Sequence, residues 1–306
     1  MDTPVKHFIR RLVPTRLYAV AREVLISPRL TDLEQRMDWA AAVLSRHVYA
    51  NDLPTLQTTV TINPFELKIR SQNGEDGILL FIFSQIGTTD RRFVEFGVGD
   101  GSICNTANLS LNWGWSGLLM EARTSDVESA RRNYRKWLGA DSHQVRIRKA
   151  FVTAENINEL LPIEGFQGPI DLLSIDIDGN DYWVWKAIKQ IEPRVVIVEY
   201  NASFGPKESV TIPYDPQFNA YKFHVSGIFH GASLAALRKL GEEKGYALVG
   251  CDSRGVNAFF VRKELLSAGL QAVSEEEAWF PHFDRSRTHS LARQQELLSS
   301  FPSIQV

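Results

Sequence analysis

Three glycines at alternate positions, Gly97, Gly99 and Gly101, follow a short apolar run that ends in Glu95-Phe96. Without a Cβ there, the backbone can turn sharply and approach a ligand closely. The turn leads into a helical pattern starting at Ser102. The unpaired N–H groups of such a helix favour an anion such as a methionine carboxylate, and Glu95 is placed to pair with a methionine ammonium. The next strand-like run ends in Glu121, 26 positions after Glu95. Nucleoside-binding folds put a carboxylate there to accept both ribose hydroxyls. A nicotinamide-dependent dehydrogenase shares this pair of features, so other residues must separate it from a methyl-donor site.

A second acidic group is Asp176, Asp178 and Asp181, in Ser174-Ile175-Asp176-Ile177-Asp178-Gly179-Asn180-Asp181. Along a strand, positions 176 and 178 face the same way. Adjacent carboxylates repel, and one takes up a proton unless a cation joins them. A divalent ion held by Asp176, Asp178 and Glu199 is one solution, since Mg²⁺ or Mn²⁺ accepts such oxygen donors, with Asn201 able to complete the shell. In the alternative, Asp181 caps the following helix, Asp178 bonds loop amides and Asp176 alone faces the site. His230 and His224 can act as general base on an acceptor hydroxyl, or stand as hydrogen-bonded loop residues. Tyr182, Trp183, Trp185, Tyr214, Tyr221, Phe223 and Phe229 offer aromatic faces of the kind on which sugar rings stack, although packing accounts for most of them.

These residues must be positioned by alternating elements. From Ser71 onward, patterning predicts helices near 74–86, 102–112, 125–138, 154–161 and 182–191. Strands are expected at 92–96, 116–121, 145–151, 171–176 and 195–199. After an irregular segment come a helix at 233–244 and two apolar strands, 246–251 and 256–261, separated by Asp252-Ser253-Arg254-Gly255. Four residues cannot hold a parallel crossover, so the last two strands form an antiparallel hairpin. The expected fold is α/β: a doubly wound, mostly parallel seven-stranded sheet with a C-terminal hairpin, which plain dinucleotide-binding folds lack. Residues 1–60 form a helical extension, 61–263 the main domain, and 264–306 a helical appendage serving as packing or dimer surface.

With 306 residues, 44% of them hydrophobic, the chain can fill a sizeable core. A net charge of −2 gives no general attraction to nucleic acid. Before Asp32, however, six basic residues face two acidic ones, so residues 1–30 can touch a membrane surface, although a solvated helical cap explains them more simply. Cys104 and Cys251 suit buried thiols in a reducing cytoplasm, and no run of about 18 apolar residues suggests a span.

Four stretches together resemble the FkbM-type class I methyltransferases: Ser71-Gln72-Asn73-Gly74-Glu75-Asp76, Val94 to Ser102, Gly117-Leu118-Leu119-Met120-Glu121-Ala122 and Ser174 to Gly179. The resemblance spans roughly residues 70–262. It implies an S-adenosylmethionine-dependent O-methyltransferase acting on a sugar, glycan or glycosylated natural product. It also implies that Ser71 and Gln72 sit over the methionine end, Glu95 and Gly97 line the cofactor, Glu121 holds the ribose and Asp176 borders the methyl group. Gly99, Gly101, Ser102, Ala122 and Phe151 complete the expected cofactor set, and Asp176, Asp178 and His230 the catalytic one. The sequence departs from the family at Asp178-Gly179-Asn180-Asp181, where a glutamate-glycine pair is more usual; the shorter acid resembles metal-dependent sugar O-methyltransferases. A scaffold that has kept the fold and lost transfer is the non-enzymatic alternative.

Overall fold

A computed structural model describes residues 61–306. The expected helical extension at 1–60, and the membrane contact expected of residues 1–30, lie outside them. Seven strands form one sheet: β1 (Arg92–Phe96), β2 (Ser116–Glu121), β3 (Val145–Lys149), β4 (Gly168–Ile175), β5 (Ile191–Glu199), β7 (Tyr246–Cys251) and β8 (Asn257–Arg262). Their order is β3-β2-β1-β4-β5-β8-β7. The first five are parallel, and β8 enters antiparallel between β5 and β7. This is the expected doubly wound sheet closed by a hairpin.

Why the strands read as nearly unbroken apolar runs follows from this topology. Successive side chains point to opposite faces, and both faces are covered. Val94, Phe96, Leu118, Met120, Leu173, Ile175, Val196 and Val198 enter one core, while Phe93, Leu119, Leu172, Val195 and Ile197 enter the other. Flanking helices seal them: α1 (Glu75–Ile86), α2 (Ala107–Trp113), α3 (Thr124–Leu138), α4 (Ile157–Ile163) and α5 (Asp181–Ala187). After β5 come the two-residue β6 (Val210–Thr211), the single-turn α6 (Ala220–Phe223) and α7 (Leu234–Glu243).

Three expectations about element ends are corrected. The helix expected from Ser102 begins at Ala107, because the buried Glu95 carboxylate accepts from Asn105 N (2.8 Å) and Thr106 N (3.0 Å) and holds the chain in turns until then. The helix expected over 182–191 stops at Ala187. Ile188 and Ile191 mimic a helical spacing, yet Ile191 already opens β5, paired with Gly168. Strand β4 ends at Ile175 rather than Asp176, so strand alternation does not aim Asp176 and Asp178 together. Asp178 instead adopts φ +56°, in the left-handed region where a residue with a side chain is uncommon.

The C-terminal residues return to the carboxyl end of the sheet as α8 (Glu275–Ala278), α9 (Phe283–Ser286), α10 (Leu291–Leu298) and β9 (Ile304–Gln305), the last paired with β6. Tyr200 Oη donates to Phe280 O at 2.9 Å, and Ser203 Oγ bonds Gln294 Oε1 at 2.7 Å. The segment is thus bolted to the residues just after β5. Among the described residues, no helix is long and apolar enough to cross a membrane.

Candidate functional site

A cleft of about 770 Å³ opens at the carboxyl ends of β1, β2 and β4, where open α/β sheets bind their ligands. Its wall includes Gln72, Gly97, Gly99, Ser102, Glu121, Ala122, Phe151, Asp176 and Asp178, so most of the expected cofactor residues are brought together. Glu121 is buried at the end of β2, with Oε2 accepting from Gly99 N at 2.9 Å and Oε1 from Arg123 N at 2.8 Å. Each oxygen keeps a lone pair for a further donor. Ile103 (59% exposed) and Phe151 (55% exposed) place apolar surface on the same wall, where a flat heterocycle can pack.

The glycines divide the work. Gly97 runs against β4, and a Cβ there would lie 1.6 Å from the Asp176 carbonyl oxygen. A Cβ on Gly99 meets nothing within 4 Å, since that position faces the open cleft. Gly101 is not on the wall. It lets the Tyr134 ring of α3 approach, and a Cβ would sit 2.9 Å from that ring.

Two residues expected at the methionine end are spent elsewhere. Ser71 is fully buried, its amide donating to Asp76 Oδ2 (2.7 Å) and its hydroxyl accepting from Asp76 N (3.2 Å). Gln72 beside it does reach the cleft. Glu95 accepts from Asn105 N, Thr106 N, Thr106 Oγ1 and Ser174 Oγ. It therefore holds the turn that leads into α2 and is spent on the fold. Burial raises its pKa against the hydrogen bonds of Thr106, Asn105 and Cys104, and it borders only a narrow side pocket with Gln72, Gly97 and Asp176.

Asp176 and Asp178 on the cleft wall converge with Glu199, one carboxylate oxygen of each within 4.8 Å of the others. Burial lifts Asp176 and Glu199 well above the usual carboxylate range, and mutual repulsion lifts them further. Asp178 is raised by burial but eased by Arg123. Glu199 Oε2 is buried with no hydrogen-bond partner among the described residues. Asp181 neither joins the group nor leaves its neighbours free: its oxygens accept from Ile177 N and Gly179 N, both at 2.9 Å, and shape the loop that delivers Asp178. Asn201 is not available as a ligand, because its amide bonds Ile228 O, His230 O, Ser203 N and Arg285.

His230 Nε2 lies 3.6 Å from Glu199 Oε1, and its Nδ1 is 2.9 Å from Gly227 O. A carbonyl only accepts, so Nδ1 carries the proton and Nε2 presents a lone pair. Burial, with Arg285 nearby, pushes the His230 pKa down to about 3. The imidazole is therefore a weak proton acceptor, and the raised carboxylates beside it are the stronger bases. His224 bonds Ser226 and does not line the cleft. Of the expected aromatics, Trp185 is core and Trp183 donates Nε1 to Ile212 O, whereas Tyr221 lines the cleft. Phe218 and Arg285 were missed. Phe218 packs where a Gly179 Cβ would be, 2.3 Å from its ring, and Arg285 on α9 bonds Asn201 and Ser203 just beyond Glu199; no pattern in the sequence marks either one.

Comparison with known proteins narrows what this cleft serves. Among curated proteins, none matches the chain. An O-methyltransferase from Bacillus cereus, solved in complex with SAH, is 20% identical, with a TM-score of 0.39 and coverage of 81% of this chain and 98% of that one. Magnesium protoporphyrin IX methyltransferase from Synechocystis, solved with bound SAM, is 11% identical, with a TM-score of 0.40 and coverage of 62% and 78%. Neither likeness decides the family, but a direct sequence match does: residues 36–247 match the methyltransferase FkbM domain. That match covers both the glycine turn and the acid cluster, and on it rests the assignment: the chain belongs to the FkbM methyltransferase family, as an S-adenosylmethionine-dependent enzyme.

Proposed function

We propose that the protein is an O-methyltransferase whose acceptor is a hydroxyl of a sugar, glycan or glycosylated natural product. The observation that carries this reading is the convergence of Asp176, Asp178 and Glu199 beside the cleft that Gly99 and Glu121 also line. Carboxylates accept hydrogen bonds from vicinal hydroxyls, and those held above their ordinary pKa take a proton readily near neutral pH. Bound S-adenosylmethionine supplies an electrophilic methyl group: the acceptor oxygen bonds to that carbon, the C–S electron pair stays on sulfur, and the hydroxyl proton leaves. The chain's own contribution is to orient the hydroxyl and receive the proton on Asp176 or Glu199, with His230 as a neutral neighbour.

Gly97, Gly99, Ser102, Glu121, Ala122 and Phe151 are the cofactor contacts in this reading, with Gln72 at the methionine end. The same three carboxylates and the orphaned Glu199 Oε2 suit a hard divalent cation. Asp176, Asp178 and Glu199 would then be ligands of Mg²⁺ or Mn²⁺ in place of proton acceptors, and the ion would supply Lewis-acid activation of the hydroxyl. Residues 61–263 form the catalytic domain, and 264–306 complete its acceptor side.

The test is transfer of labelled methyl from S-adenosylmethionine to a panel of sugars, with and without EDTA. Label on a hydroxyl oxygen that disappears in Asp176→Asn, with cofactor affinity within a few-fold of wild type, is the expected result. Label recovered only on nitrogen would overturn the O-methyl reading. Turnover untouched by EDTA would remove the metal and leave the transfer.

A further inference from the structure

The C-terminal segment brings one cation beside the acid cluster, onto the residues that follow Glu199. Arg285, on the single turn α9, is partly buried; Nη1 donates to Asn201 Oδ1 at 3.2 Å and to Ser203 Oγ at 3.4 Å. Its Nε and Nη2 make no hydrogen bond or ion pair among the described residues, and neither is sealed away from solvent. The carboxyl groups close enough to act on it are Glu199 and Asp178, the second on the cleft wall. An Nε–Nη2 edge left unspent is the planar fork that takes a carboxylate or phosphate in two parallel bonds.

The surroundings favour an anion on that side. Arg254 stacks on the Phe283 ring at 3.7 Å, and Arg287 lies 6.0 Å from the same ring. Both are exposed, and neither meets an acid within 4 Å among the described residues. Asp284 is the one acid on α9. An acceptor carrying only hydroxyls would need none of this charge, whereas an anionic one entering beside three carboxylates needs a guanidinium to offset their repulsion.

We propose that Arg285 is the acceptor-specificity residue, reading an oxyanion on the acceptor, carboxylate or phosphate, adjacent to the hydroxyl presented to Asp176 and Glu199. The assignment rests on the O-methyl reading of this cleft. The full chain, saturated with S-adenosylhomocysteine, is titrated by calorimetry with glucose, glucuronate and glucose 6-phosphate. At least one anionic sugar should bind about 10- to 100-fold more tightly than glucose, the worth of a charge-assisted pair. The two anionic arms tell carboxylate from phosphate.

Arg285→Gln should bring the preferred anion down to the affinity of glucose while S-adenosylhomocysteine binds as before. Arg285→Lys keeps the charge without the fork and should retain only part of the preference. If the Gln variant melts early, the Lys variant carries the test, and an undiminished preference in it would overturn the fork. So would wild-type protein that binds neither anion more tightly than glucose. Anion-selective binding with no methyl appearing on any hydroxyl would defeat the O-methyl reading alone. Equal methylation of all three sugars would defeat the Arg285 assignment alone.

Discussion

Gly99 N donates to Glu121 Oε2 at 2.9 Å, so the glycine turn after β1 is docked on the acid that ends β2. One carboxylate thus fixes the shape of the turn and also faces the cleft. Glu121→Gln keeps an oxygen for the Gly99 amide and replaces the other acceptor with a donor. We expect about tenfold weaker S-adenosylhomocysteine binding by calorimetry with a modest fall in melting temperature, because Oε1 also accepts from Arg123 N. Glu121→Ala should lose both the affinity and more stability, because the Gly99 and Arg123 amides both go unpaired. An unchanged dissociation constant in both variants would exclude Glu121 from the cofactor site.

Gly97 and Gly99 both have positive φ, +76° and +55°, but only one is crowded. Gly97→Ala would drive a Cβ into the Asp176 carbonyl, and we expect it to cost about 4 kcal/mol or more, read as loss of soluble folded protein. Gly99→Ala carries only the backbone penalty of about 1 kcal/mol and should fold. Its Cβ would protrude into the cleft, so cofactor affinity should fall while the melting temperature moves by a few degrees. Equal stability of the two variants would contradict the close approach of β1 and β4.

Glu95 serves the fold through four donors, and its loss should register as instability. Glu95→Ala leaves Asn105 N, Thr106 N and the Thr106 hydroxyl unpaired in a buried site and strips Ser174 Oγ of its acceptor, a cost of about 3–5 kcal/mol. Urea denaturation measures it. A stable Ala variant with abolished cofactor binding would instead return Glu95 to the methionine ammonium.

Asp76 Oδ2 accepts three backbone amides, from Ile69, Arg70 and Ser71, while burial lifts its pKa to about 6. A carboxyl whose folded pKa is raised contributes stability fully below its ordinary value and loses it as pH rises through about 6. From this group the protein should lose about 3 kcal/mol between about pH 4 and pH 7. Asp76→Asn keeps an oxygen for the three amides and cannot ionise. Its stability, measured by urea denaturation, should therefore fall less over that range than the wild type's. Parallel curves for the two proteins would show that Asp76 is not the titrating group.

How much of this was legible beforehand varied with the kind of residue. The ends of β1, β2 and β7 fall where apolar runs meet glycine or acid, so Arg92–Phe96, Ser116–Glu121 and Tyr246–Cys251 could be read directly. The start of α2 could not, because it depends on Glu95 reaching the Asn105 and Thr106 amides ten and eleven positions on. Asp176 and Asp178 were expected to meet through strand alternation; they meet through a left-handed turn tied by Asp181. Arg285 sits 84 positions from its partner Asn201 in a segment with no periodicity. No local pattern encodes that contact.

The sheet order divides the molecule along its own sequence: β1, β2 and β3 lie to one side of β4, and β5, β8 and β7 to the other. Gly99, Glu121 and Phe151 therefore all precede β5, while Glu199, His230 and Arg285 follow its start. On the proposed reading, the donor-binding residues come from the chain before β5, while the acid cluster is completed only when Glu199, at the end of β5, joins Asp176 and Asp178. A genetic exchange in the link between α5 and β5 would split that cluster, so its two halves must be inherited together.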